Sequence, residues 1–131
     1  MNLLLDTHVL IWWDIGHARL AKVVHDAIAQ PSNQVYVSAA TIWEISVKRA
    51  MGKLVFRRSP TETVERSGFL PLPITLRHAE RAGELPRHHN DPFDRLLVAQ
   101  AEIEGFVIAT QDRQLVPYGV TLLGIARART P

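Results

Sequence analysis

Two unbroken apolar runs, each followed by an acidic residue, constrain the fold of this chain most strongly. Residues 3–5 are three leucines that end at Asp6, and residues 106–110 form a second run that lies just before Asp112. Short apolar runs without polar alternation are typical of strands buried on both faces, as in a parallel sheet. The runs therefore predict an α/β protein in which helices cover both faces of the sheet.

Helical patterns fill the segments between the apolar runs. Thr7, Ser38 and Thr75 are expected to cap helices, Pro60 suits a first helical position, and Gly52 ends a helix. This alternation predicts a three-layer α/β/α sandwich with a parallel sheet of about five strands. The predicted strands are residues 3–5, 35–37, 69–72, 106–110 and 120–123, with a further short strand at 54–56, and the predicted helices are residues 8–14, 17–30, 39–51, 60–67, 76–82 and 92–101.

Length and composition limit the class of protein. The 131 residues predict a single domain, residues 1–131, in which about 126–131 form a loose C-terminal tail. The absence of cysteine excludes disulfides, thiolate zinc sites and a cysteine nucleophile. The apolar run at residues 9–13 is too short to cross a membrane. We therefore expect a cytoplasmic protein with no membrane association.

Acidic residues recur where the predicted strands end. Asp6 and Asp112 follow strands, Glu44 lies in the helix after the second strand, and Asp94 lies in the helix before the fourth. Loops at the carboxyl ends of parallel strands share one edge of the sheet, so these carboxylates can converge there. Clustered carboxylates repel one another unless a cation neutralises them, and oxygen ligands favour Mg²⁺ or Mn²⁺. Such an ion polarises a phosphodiester and lowers the pKa of bound water, which is nuclease chemistry.

Two acids, Asp91 and Asp94, lie at the start of the predicted helix at residues 92–101. Asp91 is a good N-cap and Pro92 fits the first helical position. Both Asp91 and Asp94 suit the positive end of the helix dipole, so either could be purely structural. We interpret Asp94 as the metal ligand and Asp91 as the cap, although Asp91 could also make an outer-shell contact with the metal.

A basic stretch at residues 48–58 contains five Lys and Arg residues and no acid, although the net charge is only +2. A local basic face attracts phosphates even when the total charge is small. A solvated helix end with its loop is an equally good interpretation. The candidate phosphate contacts, and so the candidate contacts to a nucleic acid, are Lys48, Arg49, Lys53, Arg57 and Arg58.

Four motifs, taken together and in order, resemble the PIN-domain family, and more narrowly its VapC-type toxins from toxin–antitoxin systems. They are Leu-Asp-Thr-His at residues 5–8, Ser-Ala-Ala-Thr-Ile-Trp-Glu at 38–44, Asn-Asp-Pro-Phe-Asp-Arg at 90–95 and Ala-Thr-Gln-Asp at 109–112. The resemblance covers essentially the whole chain. It implies a single PIN-like domain with an α/β/α fold and the activity of a Mg²⁺- or Mn²⁺-dependent endoribonuclease. It also implies a homodimer that is inhibited by a small VapB-like antitoxin.

The resemblance also assigns roles to individual residues. Asp6, Glu44 and Asp94 match the three metal-site acids of the family, and Asp112 matches its more variable fourth acid. Thr110 matches the hydroxyl residue two positions before that acid. The resemblance therefore implies that the catalytic and metal-binding residues are Asp6, Glu44, Asp94 and Asp112, with supporting contacts from Asp91, Thr110 and Thr7.

Other interpretations remain open at this point. His8, His88 and His89 lack the helical spacing of a transition-metal site, and His88 and His89 are expected to face solvent or RNA. Trp12, Trp13 and Trp43 are expected in the core or an interface, although they could also stack on bases or bind the antitoxin.

Two other functional classes compete with the nuclease. A phosphoacceptor receiver needs an acceptor Asp after its third strand and a late Lys, and the chain has no Lys beyond Lys53. A catalytically weak PIN-like domain that acts as an RNA- or protein-binding module is the main alternative.

Overall fold

The computed structural model describes residues 1–125 and contains one five-stranded, all-parallel sheet in the order β3-β2-β1-β4-β5. The predicted fold class is confirmed. The tail predicted at 126–131 lies outside the described residues. The strands are β1 (Asn2–Leu5), β2 (Gln34–Ser38), β3 (Leu70–Leu72), β4 (Val107–Ala109) and β5 (Leu122–Leu123).

Helices connect the strands and cover both faces of the sheet. A 3₁₀ helix, Arg113–Tyr118, follows β4 and has no counterpart among the predicted elements. The α-helices are α1 (Thr7–Ile15), α2 (Lys22–Ala29), α3 (Ala39–Ala50), α4 (Pro60–Arg66), α5 (Leu76–Glu84) and α6 (Pro92–Glu104).

The central position of β1 in the sheet explains why its residues 3–5 are all leucine. Leu3 and Leu5 belong to the core cluster on one face of the sheet, and Leu4 belongs to the cluster on the other face. All three side chains are completely buried. Burying a leucine side chain stabilises the fold by about 1.5–3 kcal/mol, so β1 anchors both helical layers. Its register pairs Leu5 with Ala109 of β4, and this pairing fixes which residues meet beyond the strand ends.

The structure corrects three local predictions. Thr7 is the first residue of α1 and not its cap, because the Asp6 carboxylate accepts the backbone N–H of His8. The second helix begins at Lys22 and not at residue 17. Gln111 bonds the backbone N–H of Ala21 and the carbonyl of Arg19, so this stretch is held outside the helix.

The third correction concerns the short strand predicted at residues 54–56, which form no strand. Phe56 is buried in the core, and its carbonyl accepts a hydrogen bond from the Arg49 guanidinium. A side chain therefore satisfies the backbone group that a strand partner would otherwise bond. Among residues 1–125, no helix is both long and apolar enough to span a membrane.

Candidate metal centre

Asp6 lies at the carboxyl end of β1 and is only 3% exposed. Its Oδ1 accepts the backbone N–H of His8 at 2.9 Å, and its Oδ2 accepts the Thr110 hydroxyl at 2.6 Å. The parallel pairing of β1 with β4 brings Thr110 to this position. Burial raises the pKa of Asp6, and these two hydrogen bonds partly oppose that effect. The side chain is thus fixed in one orientation at a cost in desolvation.

Glu44 approaches the same edge from α3, which Ser38 caps directly after β2. It is also 3% exposed. The Thr7 hydroxyl donates to its Oε1 at 2.7 Å, and Lys48 forms an ion pair with its Oε2. Glu44 is therefore a buried acid. One of its carboxylate oxygens faces Thr7 of α1, and the other pairs with Lys48.

Asp94 lies in the first turn of α6, one turn after the N-cap Asp91. Asp91 Oδ1 accepts the backbone N–H groups of Phe93 at 2.8 Å and of Asp94 at 3.3 Å. Burial, as the largest effect, and the charges of four other acids together raise the pKa of Asp94 to about 8. Those acids are Asp6, Asp91, Glu44 and Asp112.

Asp112 completes the cluster from the segment that follows β4. It caps the 3₁₀ helix by accepting the backbone N–H of Gln114 at 2.9 Å. Its own N–H donates to the Thr110 hydroxyl at 3.0 Å. Thr110 thus connects Asp112 to Asp6, and one hydroxyl group fixes the relative positions of two acids.

The prediction that His89 faces solvent is wrong, whereas the alternative that it faces RNA stays a prediction. Its side chain is 14% exposed, and its Nε2 lies 3.0 Å from Asp94 Oδ2 and 3.5 Å from Asp112 Oδ2. One ligand atom from each of these three residues lies within 4.8 Å of the others. The five-residue separation of His89 and Asp94 is not a helical spacing, so the sequence offers no periodic signal for this contact. The neighbouring His88 is exposed and packs edge-on against Tyr118.

The five basic candidates divide into two groups. Lys48 lies beside the acidic cluster, and Lys53 and Arg57 are exposed. Arg49 instead bonds the carbonyls of Phe56 and Arg58. The Arg58 guanidinium lies 3.6 Å from Asp14.

The three tryptophans have different environments. Trp13 donates to the Ser67 hydroxyl and packs against Phe69, as expected for a core residue. Trp12 lies between the rings of His8 and His17. Trp43 is 59% exposed and meets Phe93 edge-on, so this ring lies close to the start of α6.

The donor set suits a hard divalent cation. The four acids matched by the resemblance offer carboxylate oxygens, and burial together with the charges of the other acids raises the pKa of Asp94. A cation bound among them would neutralise that charge, and oxygen ligands favour Mg²⁺ or Mn²⁺. The arrangement therefore has the chemistry of a metal site that binds phosphate esters.

Comparisons with known proteins agree with this description. The PIN domain model matches residues 3–119. A curated relative, ribonuclease VapC22 of Mycobacterium tuberculosis, is 30% identical over 122 residues, which cover 87% of this chain and 89% of that protein.

Solved structures share the fold at lower sequence identity. VapBC2 from Rickettsia felis, bound to a promoter DNA fragment, has a TM-score of 0.69 at 14% identity and covers 94% of this chain and 98% of its own. DNA-bound VapBC from Salmonella typhimurium has a TM-score of 0.65 at 18% identity, with 94% and 97% covered. VapBC-5 from Mycobacterium tuberculosis has a TM-score of 0.61 at 20% identity, with 97% and 98% covered.

Proposed function

The chain belongs to the PIN domain family as a VapC-type ribonuclease, and from that premise we propose that its acidic cluster binds the divalent ion with which it hydrolyses RNA. The proposed ligands, which are also the proposed catalytic residues, are Asp6, Glu44, Asp94 and Asp112. The observation that carries the proposal is the convergence of these acids on Asp94, whose pKa is raised by burial and by the other carboxylates.

Mg²⁺ or Mn²⁺ is the proposed ion. When bound, it would polarise the scissile phosphodiester and lower the pKa of water for attack on phosphorus. Asp94 must lose its proton to bind the ion, whereas Asp6 and Glu44 are held for binding by hydroxyl donors from Thr110 and Thr7.

The remaining predicted residues have supporting roles in this proposal. Asp91 fixes the start of α6 and so the position of Asp94. Lys53 and Arg57 are proposed contacts to the RNA backbone because both are exposed, whereas Arg49 and Arg58 bind groups within the protein. Lys48 is a further proposed contact, although it pairs with Glu44. The Lys48 ammonium, beside Glu44, is positioned to hold a phosphate next to the acids.

We also propose a small antitoxin as partner and a homodimer as the assembly. The VapBC structures that share this fold are toxin–antitoxin systems, and two of them are bound to DNA. Light scattering of the purified chain, alone and with the product of a short neighbouring gene, tests both statements. A chain that is monomeric and forms no complex with that product would contradict them.

Cleavage of RNA by antitoxin-free protein tests the activity. We expect cleavage in Mg²⁺ or Mn²⁺, none in EDTA, and a loss of about a hundredfold or more in Asp6→Asn, since this carboxylate is a proposed metal ligand. The matched control is Asp26→Asn, because Asp26 is an exposed acid on α2 that pairs with its helix neighbours Lys22 and His25. Equal cleavage in EDTA, or full activity of Asp6→Asn, would refute the metal mechanism.

RNA binding without cleavage in any metal would instead support the binding-module alternative, which the intact set of acids does not favour.

A further inference from the structure

A histidine outside the family-matched acids contacts two of them. His89 precedes α6, and its Nε2 lies 3.0 Å from Asp94 Oδ2 and 3.5 Å from Asp112 Oδ2. Asp94 belongs to α6, whereas Asp112 belongs to the segment after β4. The ring therefore spans the two acids that come from different parts of the chain.

The other ring nitrogen shows which role the ring can play. The backbone N–H of Asp91 donates to His89 Nδ1 at 3.3 Å, so Nδ1 accepts a hydrogen bond and the ring hydrogen lies on Nε2. An Nε2 that carries the ring hydrogen has no lone pair for a metal. In this tautomer His89 cannot bind a metal through Nε2. The distances between its ring nitrogen and the carboxylate oxygens of Asp94 and Asp112 would by themselves allow it to be a ligand.

The backbone of His89 is fixed as well. Its N–H donates to the Tyr118 hydroxyl at 2.9 Å, and that hydroxyl lies 3.4 Å from the His89 carbonyl. Tyr118 ends the 3₁₀ helix that Asp112 caps. The ring is thus anchored to the element that carries Asp112 and points at the element that carries Asp94.

We propose that His89 is a positioning residue of the metal centre, whose Nε2 lies against Asp94 and Asp112 and holds both carboxylates in their ligating orientation. The inference rests on the proposed function, since it requires a metal at the acidic cluster. Partners that orient metal-ligating side chains commonly affect metal affinity by about 10- to 100-fold. The Asp91 backbone N–H that selects the tautomer belongs to the same residue that caps α6.

Direct metal binding and spectroscopy of Mn²⁺ test the proposal without reference to activity. We expect His89→Ala to weaken Mn²⁺ binding by about 10- to 100-fold in calorimetry. His89→Gln, whose amide nitrogen reaches a position similar to that of Nε2, should restore most of that affinity. His25→Ala is the matched control, because His25 is an exposed histidine on α2 whose partner is Asp26.

Pulsed electron paramagnetic resonance of the wild-type protein should show no nitrogen coupled directly to Mn²⁺. Directly coupled nitrogen that disappears in His89→Ala would overturn the proposal in favour of ligation. Unchanged Mn²⁺ affinity in His89→Ala, or equal loss in His89→Ala and His89→Gln with both variants folded, would also overturn it. If wild-type protein binds no Mn²⁺, the proposed function fails and this inference fails with it, which is a different outcome from a wild-type site that is insensitive to His89.

Discussion

At the scale of single residues, the protonation of Asp94 links metal binding to pH. Burial, as the largest effect, and the charges of neighbouring acids together raise its pKa to about 8. Because the ion binds the carboxylate, each metal-binding event below pH 8 should release about one proton. We expect Mn²⁺ affinity to fall by up to about tenfold for each pH unit below 8.

Calorimetry of Mn²⁺ binding between pH 6 and 8, in buffers of different ionisation enthalpy, measures both the affinity and the number of protons released. An affinity that does not change with pH, with no proton release at pH 6, would contradict the assignment of Asp94 as a ligand with a raised pKa.

The same pKa shift predicts the stability of the metal-free protein. The pKa of Asp94 is 3.8 when unperturbed and about 8 in the fold, so between these values the folded state binds a proton that the unfolded state does not. The free energy of unfolding should therefore decrease as pH rises from 4 to 8, by at most about 1.4 kcal/mol per unit. Burial of Asp6 acts in the same direction.

Urea denaturation in EDTA measures this dependence. Asp94→Asn, which cannot ionise, should be more stable than wild type in EDTA at pH 8, while Mn²⁺ should stabilise only the wild type. An Asp94→Asn protein that is less stable than wild type under those conditions would show that the carboxylate stabilises the metal-free fold.

Thr110 is the residue on which the geometry of two acids depends. Its hydroxyl donates to Asp6 Oδ2 and accepts the backbone N–H of Asp112. We expect Thr110→Val to cost about 1–3 kcal/mol of stability, because it leaves a buried carboxylate and an N–H without their partner. Mn²⁺ affinity should fall as well, and Thr110→Ser should retain both properties. Urea denaturation and calorimetry of the two variants make the comparison, and equal behaviour of the two variants would contradict the role of the hydroxyl.

At the scale of elements, the start of α6 separates structural from ligating acids. Asp91 accepts two backbone N–H groups, and Pro92 follows it at the first helical position. Asp91→Ala should cost about 1 kcal/mol through the lost cap. Asp91→Asn keeps a capping oxygen, so it should keep stability and most of the RNA cleavage, whereas Asp94→Asn should lose cleavage. Full loss of cleavage in Asp91→Asn would identify Asp91 as a ligand and contradict the division between the two acids.

The elements also show where sequence reasoning succeeds. Local signals mark α6 by its Asp-Pro start and α3 by Ser38, and both helices begin at the predicted residues. The missed features depend on contacts between distant residues. Gln111 holds residues 19–21 outside α2 from 90 positions away, and no pattern in residues 17–30 records that contact.

At the scale of the whole molecule, the parallel sheet explains the position of the site. β1 pairs with β2 and β4, so the segments that follow these three strands meet at one edge. The sequence is sufficient to predict a parallel sheet and the convergence of acids at one edge, because apolar runs and the acids after them are local features, whereas the strand order comes from the structure. It is insufficient for His89, since that contact requires the Tyr118 anchor 29 positions away. The sequence also does not show which residues of the basic stretch 48–58 bind groups within the protein. Only the fold shows that the Arg49 side chain bonds the backbone carbonyls of Phe56 and Arg58.

The division of the basic residues predicts two classes of variant. Lys53→Ala and Arg57→Ala should weaken RNA binding and reduce the slope of its salt dependence by about 0.7 for each phosphate that the side chain neutralises, with little change in stability. Arg49→Ala should instead lower stability, since it removes hydrogen bonds to two carbonyls. RNA titrations at several salt concentrations, together with urea denaturation, separate these effects. An RNA affinity that is unaffected by Lys53→Ala and Arg57→Ala would place the RNA elsewhere.

The central claim is that Asp6, Glu44, Asp94 and Asp112 together bind the catalytic ion. Anomalous diffraction at the manganese edge, from crystals of antitoxin-free protein grown with Mn²⁺ at pH 8, tests it most directly. We expect an anomalous peak among these four carboxylates that is absent from Asp94→Asn crystals. Crystals of active protein without a peak there, or with the same peak retained in Asp94→Asn, would contradict it.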